Sequence, residues 1–413
     1  MKFFLINNKN FYVSFTLFAF FIGYILIVLV FKKEYYVGDE PRYLMFANNI
    51  LHGYYSPPPP EINLWNGPGY PLLIALTKVL HLPELSVRLL NAVWLYLTLI
   101  LTYKTFTLLQ IKKKLPAVIF LGFYLPVYVM LPKILTESFA WFLIGLLTYL
   151  MVKYLSKNIQ KKQLFLIALV LLVLMLTKVV FAYAVLSLAL ITAIWFLFSR
   201  NPKVKAVFQV FVLALFMSTP YMIYTYRLTG KVFYWSNAAS LSLYTMSTPY
   251  ADENGSFMTP RYLATNPKHR QEVDSIMVRL PALQMDEALQ KAAIRNIKNH
   301  PFKYFKNWLS NLGRLFIGYP FLTGAISFKF KLFSWVNLIW LFILLIALLR
   351  WFLLKISLPF SITILLLFFA IYLSGSSLVS AFPRMFYITL PFWTVWAFYI
   401  LARTPIIFGL YKK

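Results

Sequence analysis

The chain has 413 residues, 61% of them hydrophobic and 13% charged, with 40 Lys and Arg against 12 Asp and Glu. Long apolar runs at this composition exclude an ordinary soluble domain and point to a polytopic membrane protein. The basic excess then anchors cytoplasmic loops and meets anionic lipid headgroups, so nucleic acid is not an implied partner. There is no cysteine, hence no disulfide framework, thiol nucleophile or Cys-ligated metal. His52, His81, His269 and His300 are scattered without ligand spacing.

The first membrane-length run, 11–31, lacks a small-residue cleavage site and reads as a retained helix rather than a signal peptide. Gly38-Asp39-Glu40-Pro41-Arg42-Tyr43 follows it. Asp39 is placed to cap a helix reaching about Leu51, with Pro41 in its first turn and Gly53 as the stop. Tyr43, Phe46, Ala47, Ile50 and Leu51 share one face, so this helix should lie along the membrane surface. The prolines at 57–60 form a stiff spacer. Asn66-Gly67-Pro68-Gly69-Tyr70-Pro71 breaks the chain again before a short apolar helix, 71–81.

Further spans are expected at 88–110, 115–131, 138–155, 163–179, 183–198, 205–225, 333–349, 357–374 and 386–402, about ten in all. The short connections hold Lys112, Lys113, Lys114, Lys153, Lys157, Lys161, Lys162, Arg200, Lys203, Lys205, Arg350 and Lys355 and no acid. With Lys2, Lys9, Arg403, Lys412 and Lys413, they place both termini in the cytoplasm by the positive-inside rule. Segments 32–87, 132–137 and 226–332 then face outward. The apolar stretch 308–328 is assigned to the outer interface rather than to an eleventh span. A helix is expected over 286–298, ended by His300-Pro301, and an interfacial helix over 302–316. The chain is thus expected to be one all-α domain, 1–413, with two large extracytoplasmic loops at 32–87 and 226–332.

All 12 acids fall within 34–84, at Glu137, or within 252–287, which this topology puts on one side. A carboxylate pair beside a bilayer is costly and marks a functional site. Each candidate also has a structural use. Asp39 is a helix cap or a base, and the two are compatible, since a helix N-terminus favours the ionised form. Glu40 is a solvated neighbour or an aid to Asp39. Glu137 is a helix-start acid or a binding group. Lys178 either snorkels or meets an anion. Arg384 precedes a span on the side the positive-inside rule disfavours, which suggests anion binding. Tyr387 is an aromatic-belt position. Asp252, Glu253, Glu272, Asp274, Asp286 and Glu287 read as a solvated loop surface.

The order of elements carries a resemblance. The acidic pair is followed by the Gly-Pro-Gly-Tyr-Pro element and by Ser86-Val87-Arg88-Leu89-Leu90-Asn91. Next come Leu135-Thr136-Glu137, Leu176-Thr177-Lys178, Ile297-Lys298-Asn299-His300-Pro301, and finally Pro383-Arg384-Met385-Phe386-Tyr387 with Pro391. The whole chain resembles the GT-C membrane glycosyltransferases of the protein-mannosyltransferase and aminoarabinose-transferase type. Met385 and Phe386 separate Arg384 from Tyr387, where relatives have Arg-Tyr followed by prolines. Trp65 and Asn66 stand where aminoarabinose transferases carry a carboxylate and Lys. The resemblance implies a GT-C bundle in a bacterial inner membrane. It also implies single-displacement, inverting transfer of a sugar from a polyprenyl-phosphate (undecaprenyl-phosphate) carrier to an extracytoplasmic glycan, lipid or protein.

Chemistry demands the same parts. Nucleotide sugars are absent outside the cytoplasm, so a donor must arrive on a membrane lipid. Its transfer needs one carboxylate as base and cations for the departing phosphate. Asp39 is expected to be the base. Glu40, Tyr43 and Glu137 would contact the acceptor or donor sugar, and Arg384, Lys178, Arg88 and Tyr387 the phosphate. No cofactor is required; a divalent cation would have Asp39 and Glu137 as its ligands. The competing readings are a transporter or flippase, which needs charges along a path through the bundle, and a polymerase or ligase of lipid-linked saccharides.

Overall fold

The computed structural model describes residues 8–155, 160–257, 267–319 and 328–403, in which only helices form and no strand. Lys2, the side chain of Lys9, Lys157, Lys412 and Lys413 from the charge count lie outside the described residues, as do 320–327 of the stretch 308–328.

The chain opens with α1 (Asn8–Phe31), α2 (Glu40–Leu51), α3 (Gly69–Val79) and α4 (Glu84–Leu108). Two short helices, α5 (Lys114–Gly122) and α6 (Leu125–Tyr128), precede α7 (Glu137–Tyr154), α8 (Lys161–Thr177) and α9 (Val180–Ser199). Next come α10 (Pro202–Met217), α11 (Thr219–Thr229), α12 (Ala239–Met246), α13 (Pro267–Met277), α14 (Ala282–Asn299) and α15 (Pro301–Phe316). The chain ends in α16 (Phe328–Leu353), α17 (Phe360–Ser377), α18 (Pro383–Tyr387) and α19 (Leu390–Arg403).

Among the described residues, five helices are long and apolar enough to cross a bilayer: Phe11–Phe31, α4, α9, Lys331–Leu353 and α17. α10 and α11 together are also long and apolar enough to cross, with a bend of 45° between them. Of the other expected spans, 138–155 is the uninterrupted 18-residue α7, and the rest are shorter or interrupted helices. Segment 115–131 is split between α5 and α6, 163–179 is the 17-residue α8, and 386–402 is split between α18 and α19.

Proline explains the interruptions, because it cannot donate to the carbonyl four residues back. In each case a side chain supplies the missing donor, as backbone groups shielded from water require. Opposite Pro126, the Gly122 carbonyl accepts from the hydroxyls of Tyr24 at 3.0 Å and Tyr128 at 2.7 Å. Opposite Pro220, the Phe216 carbonyl accepts from Thr219 at 2.6 Å. Opposite Pro391, the Tyr387 carbonyl accepts from Trp141 Nε1 at 2.7 Å.

α7 is the axis of the bundle. It packs on α4, α8, α17 and α19, and nearly its whole surface is buried. α1 and α16 lie outside and expose Phe15, Phe18, Leu26, Trp335, Phe342 and Phe352, the apolar belt expected against lipid. α2 packs on α3, and α3 on α8. α15 is amphipathic in the inverted sense. Phe302, Phe305 and Leu309 face out, whereas Asn307, Asn311 and Arg314 are buried.

Residues 282–299 form the expected helix, and α12, α13 and α14 share a small core of Leu241, Tyr244, Val273 and Leu289. The acids of this segment are not a solvated surface throughout. Glu253 is buried, accepts from Thr248, and pairs with His269 Nδ1 at 2.6 Å. Asp286 is buried too and accepts from Tyr234 at 2.9 Å and Lys231 at 3.3 Å. Hydroxyl, imidazole and ammonium donors replace the water that burial removes.

The Gly-Pro-Gly element serves close approach. A Cβ on Gly67 would stand 2.0 Å from the Leu176 carbonyl oxygen, and one on Gly69 2.7 Å from Thr177 Oγ1. This loop therefore seats on the end of α8, just before Lys178. Gly67→Ala is expected to cost about 1–3 kcal/mol through overpacking, seen as a lowered melting temperature of purified protein. Gly23→Ala, inside α1 where a Cβ meets nothing within 4 Å, should not lower it, since Ala favours the helix over Gly.

Candidate active site

Asp39 and Glu40 are neighbours whose carboxylates point to different partners. Gly38, at φ +70°, makes the turn into α2. Asp39 stands at the N-cap of α2 but makes no side-chain cap bond, contrary to the capping expectation. Its carboxylate is drawn instead to two guanidiniums. Oδ1 accepts from Arg42 at 3.0 Å and Oδ2 from Arg384 at 2.8 Å. Charge-assisted bonds of this length outweigh a single neutral cap bond.

Arg384 also stands 3.7 Å from Glu137, whose Oε1 accepts from Lys178 Nζ at 3.0 Å. The Asp39 and Glu137 side chains are 18% and 3% exposed, those of Arg384 and Lys178 31% and 20%. Two carboxylates and three cations therefore gather where four helix ends meet: the start of α2, the start of α7, the end of α8, and α18. The cations are the more accessible members. Glu137 Oε2 is buried without a hydrogen-bond partner.

The surrounding elements set each side chain. Lys178 is extended between α8 and α9, at φ −132°, so its ammonium leaves the helix and turns to Glu137. Arg384 follows a segment held by Asn311 of α15. Asn311 donates to the carbonyls of Ser377 at 2.8 Å and Val379 at 2.7 Å and accepts from Ala381 N at 2.9 Å. Tyr43 is buried beside the cluster, and its hydroxyl accepts from Asn66 Nδ2 at 3.1 Å.

Three other expected site residues serve the framework. Glu40 is not solvated: it is 1% exposed. Its Oε1 accepts from Arg88 at 3.0 Å and Ile134 N at 2.8 Å, and its Oε2 from Val37 N at 2.7 Å. Arg88, expected to bind phosphate, is instead engaged by Glu40, by Glu84 at 2.9 Å, and by the Pro132 carbonyl. Tyr387 is buried; its hydroxyl accepts from Asn337 Nδ2 at 3.1 Å and its ring lies 5.3 Å from Tyr124. These pairings turn Arg88 and Tyr387 toward the core, whereas the Arg384 and Lys178 side chains stay partly exposed.

Arg42 was legible in principle, since it lies three residues after Asp39 on one helix face. The aromatic surround was not. Arg42 stacks over Trp65 at 4.6 Å and Arg384 over Phe382 at 5.2 Å, with Phe257 between the two rings at 6.4 and 5.5 Å. Among the described residues no group of three or more His, Asp or Glu is placed to hold a metal ion. Arg384 Nη1 stands between the two carboxylates, 2.8 Å from Asp39 and 3.7 Å from Glu137.

Burial pushes the Asp39 carboxyl up, but Arg384, Arg42 and Lys178 outweigh it and the net shift is downward. Burial likewise lowers Arg384, and Glu137 with Asp39 more than restores it, so it stays cationic. Tyr43 is raised by burial and then by Asp39 and Glu137, which keeps its hydroxyl protonated.

In class, then, the chain is a multi-pass helical membrane protein with an ionic cluster at one end of its bundle. Comparison with solved structures finds ArnT from Cupriavidus metallidurans, in a crystal structure bound to undecaprenyl phosphate. The match has 12% identity and a TM-score of 0.35, covering 96% of this chain and 78% of that one. No family model and no curated protein matches the sequence.

Two outcomes follow from the pairings. Glu40→Ala leaves a buried guanidinium short of a carboxylate and should cost about 3–5 kcal/mol, measured by thermal unfolding, whereas Asp39→Asn should cost far less. Because the folded pKa of Asp39 is lowered, its ionic stabilisation is present above the ordinary Asp range and is lost as pH falls through the lowered value. The melting difference between wild type and Asp39→Asn should therefore hold from about pH 8 to pH 5 and shrink only below about pH 4.

Proposed function

We propose that the protein is a membrane glycosyltransferase that moves a sugar from a polyprenyl-phosphate carrier to an acceptor hydroxyl on the extracytoplasmic face. The observation that supports it is the convergence of Asp39 with Arg384, residues 345 positions apart, in contact with Glu137 and Lys178. One carboxylate flanked by accessible cations is what proton removal beside a departing phosphate requires.

In this reading the donor phosphate competes for Arg384 and Lys178. Once Arg384 turns to the phosphate, Asp39 keeps only Arg42 as a direct ionic partner, and its basicity rises toward that of an ordinary carboxylate. The acceptor oxygen then forms a bond to the anomeric carbon as its proton passes to Asp39. The bond from that carbon to the phosphate oxygen breaks, and the lipid phosphate leaves paired with Arg384 and Lys178. Attack opposite the leaving group inverts the anomeric centre, and no sugar–enzyme bond forms. Tyr43 and Asn66, joined by a 3.1 Å hydrogen bond, pack beside this cluster. The clustering of these charges at helix ends favours transfer over transport, which needs them along a path through the bundle.

Purified protein incubated with a panel of polyprenyl-phosphate sugars should consume one of them by transfer or slow hydrolysis. Asp39→Asn should reduce turnover roughly 100- to 10,000-fold, the usual worth of a general base, while still binding donor. Near-normal turnover in that variant would remove the base assignment. Arg384→Ala should mainly raise the donor concentration needed. Activity is expected to survive a metal chelator, since Arg384 and Lys178 carry the charge a divalent cation would otherwise neutralise; loss of activity that Mg²⁺ or Mn²⁺ restores would overturn this.

A further inference from the structure

A cavity of about 440 Å³ lies on the far side of the Asp39–Glu40 dipeptide from the ionic cluster, and none of Asp39, Glu137, Lys178 or Arg384 lines it. One wall is the last turn of α1, Ile27 and Phe31; the opposite wall includes Val129. Lys33, just past the end of α1, and Lys133 also line it, and the Glu40–Arg88 pair closes its floor. Lys33 rests on Tyr35, 2.6 Å from its hydroxyl.

Two features decide what this hollow can take. It straddles a span end, where hydrocarbon gives way to headgroups, so its apolar wall and cationic rim match the two halves of a lipid. Its lining also carries three cations against one carboxylate. Both oxygens of that carboxylate are already bonded, to Arg88, Ile134 N and Val37 N. Glu40 therefore offers no free acceptor, and Arg88 is shared between Glu40 and Glu84, so Lys33 and Lys133 are the cations that face an incoming head group. A zwitterionic lipid would gain little here, and a soluble anion would leave the apolar wall uncovered.

We propose that this cavity binds a membrane lipid with an anionic, phosphate-bearing head, its first chain segment against Ile27, Phe31 and Val129 and its phosphate between Lys33 and Lys133. It is a second lipid site, separate from the one assigned to the donor. Its occupant covers the Glu40–Arg88 pair beside Asp39. The site stands on its own geometry and does not require the transfer reaction.

The test is native mass spectrometry of the full-length protein released from detergent, titrated with phosphatidylglycerol, with phosphatidylcholine, and with soluble glycerol phosphate. Phosphatidylglycerol should be retained in preference to phosphatidylcholine, and glycerol phosphate should not displace it. Lys33→Gln with Lys133→Gln should weaken that retention roughly tenfold or more, the scale expected for two lysines at an anionic headgroup. Lys203→Gln with Lys205→Gln, both exposed in α10, should not change it. Val129→Trp should block binding by filling the cavity. Equal retention of the two lipids, an unaffected Lys33/Lys133 double variant, or competition by glycerol phosphate would each overturn the proposal. Asp39→Asn should retain the lipid fully, so a failure here and a failure of the transferase reading are read separately.

Discussion

A carboxylate buried against Arg88 decides where the next carboxylate can point. Glu40 is held by a guanidinium and two backbone amides, which fixes the first turn of α2 against α4 and the turn at 132–134. With Glu40 committed inward, Asp39 is left on the opposite side, facing Arg42 and Arg384. Ion pairs this deep are not simple sources of stability, because desolvation offsets much of the attraction. Their value is positional: each has few alternatives, so each side chain has one place to be.

The same economy runs through the bundle. Three prolines interrupt helices, and each orphaned carbonyl finds a hydroxyl or an indole. Asn307 and Asn311 on α15 turn inward to bond loop carbonyls while the apolar face of that helix turns out. A polar group without a partner is expensive where water is scarce, so these bonds govern how loops approach helix ends. Arg384 reaches Asp39 because Asn311 has already shaped the segment before it.

The ionic cluster is balanced toward the positive. Asp39 is shared by two arginines and Glu137 by Lys178 and Arg384, which leaves one cation in excess. Arg384 is the cation common to both carboxylates, 2.8 Å from Asp39 and 3.7 Å from Glu137. Burial alone would leave Asp39 protonated too readily, and the arginines reverse that.

Much of this was legible in one dimension. Apolar runs, the charge bias of short loops, and the turn residues around 38, 53 and 67–71 are local signals, and α1 to α4, α9, α14 and α15 stand near their expected places. Asp39, Glu137, Lys178 and Arg384 were also readable as candidates, because a charge at a span end is conspicuous against an apolar background. Which charge pairs with which was not readable. Arg88 and Arg384 look alike along the chain, yet one is consumed by Glu40 and Glu84 while the other stays half-exposed. Glu253 sits in a stretch as polar as any solvated loop, yet it is buried against His269. Composition and periodicity by themselves determined an all-helical membrane protein with its acids gathered in a few segments, since those properties depend on near neighbours. Only the tertiary structure decided the partner of each charge, because the energy of an ion pair depends on separations of a few ångströms between residues hundreds of positions apart.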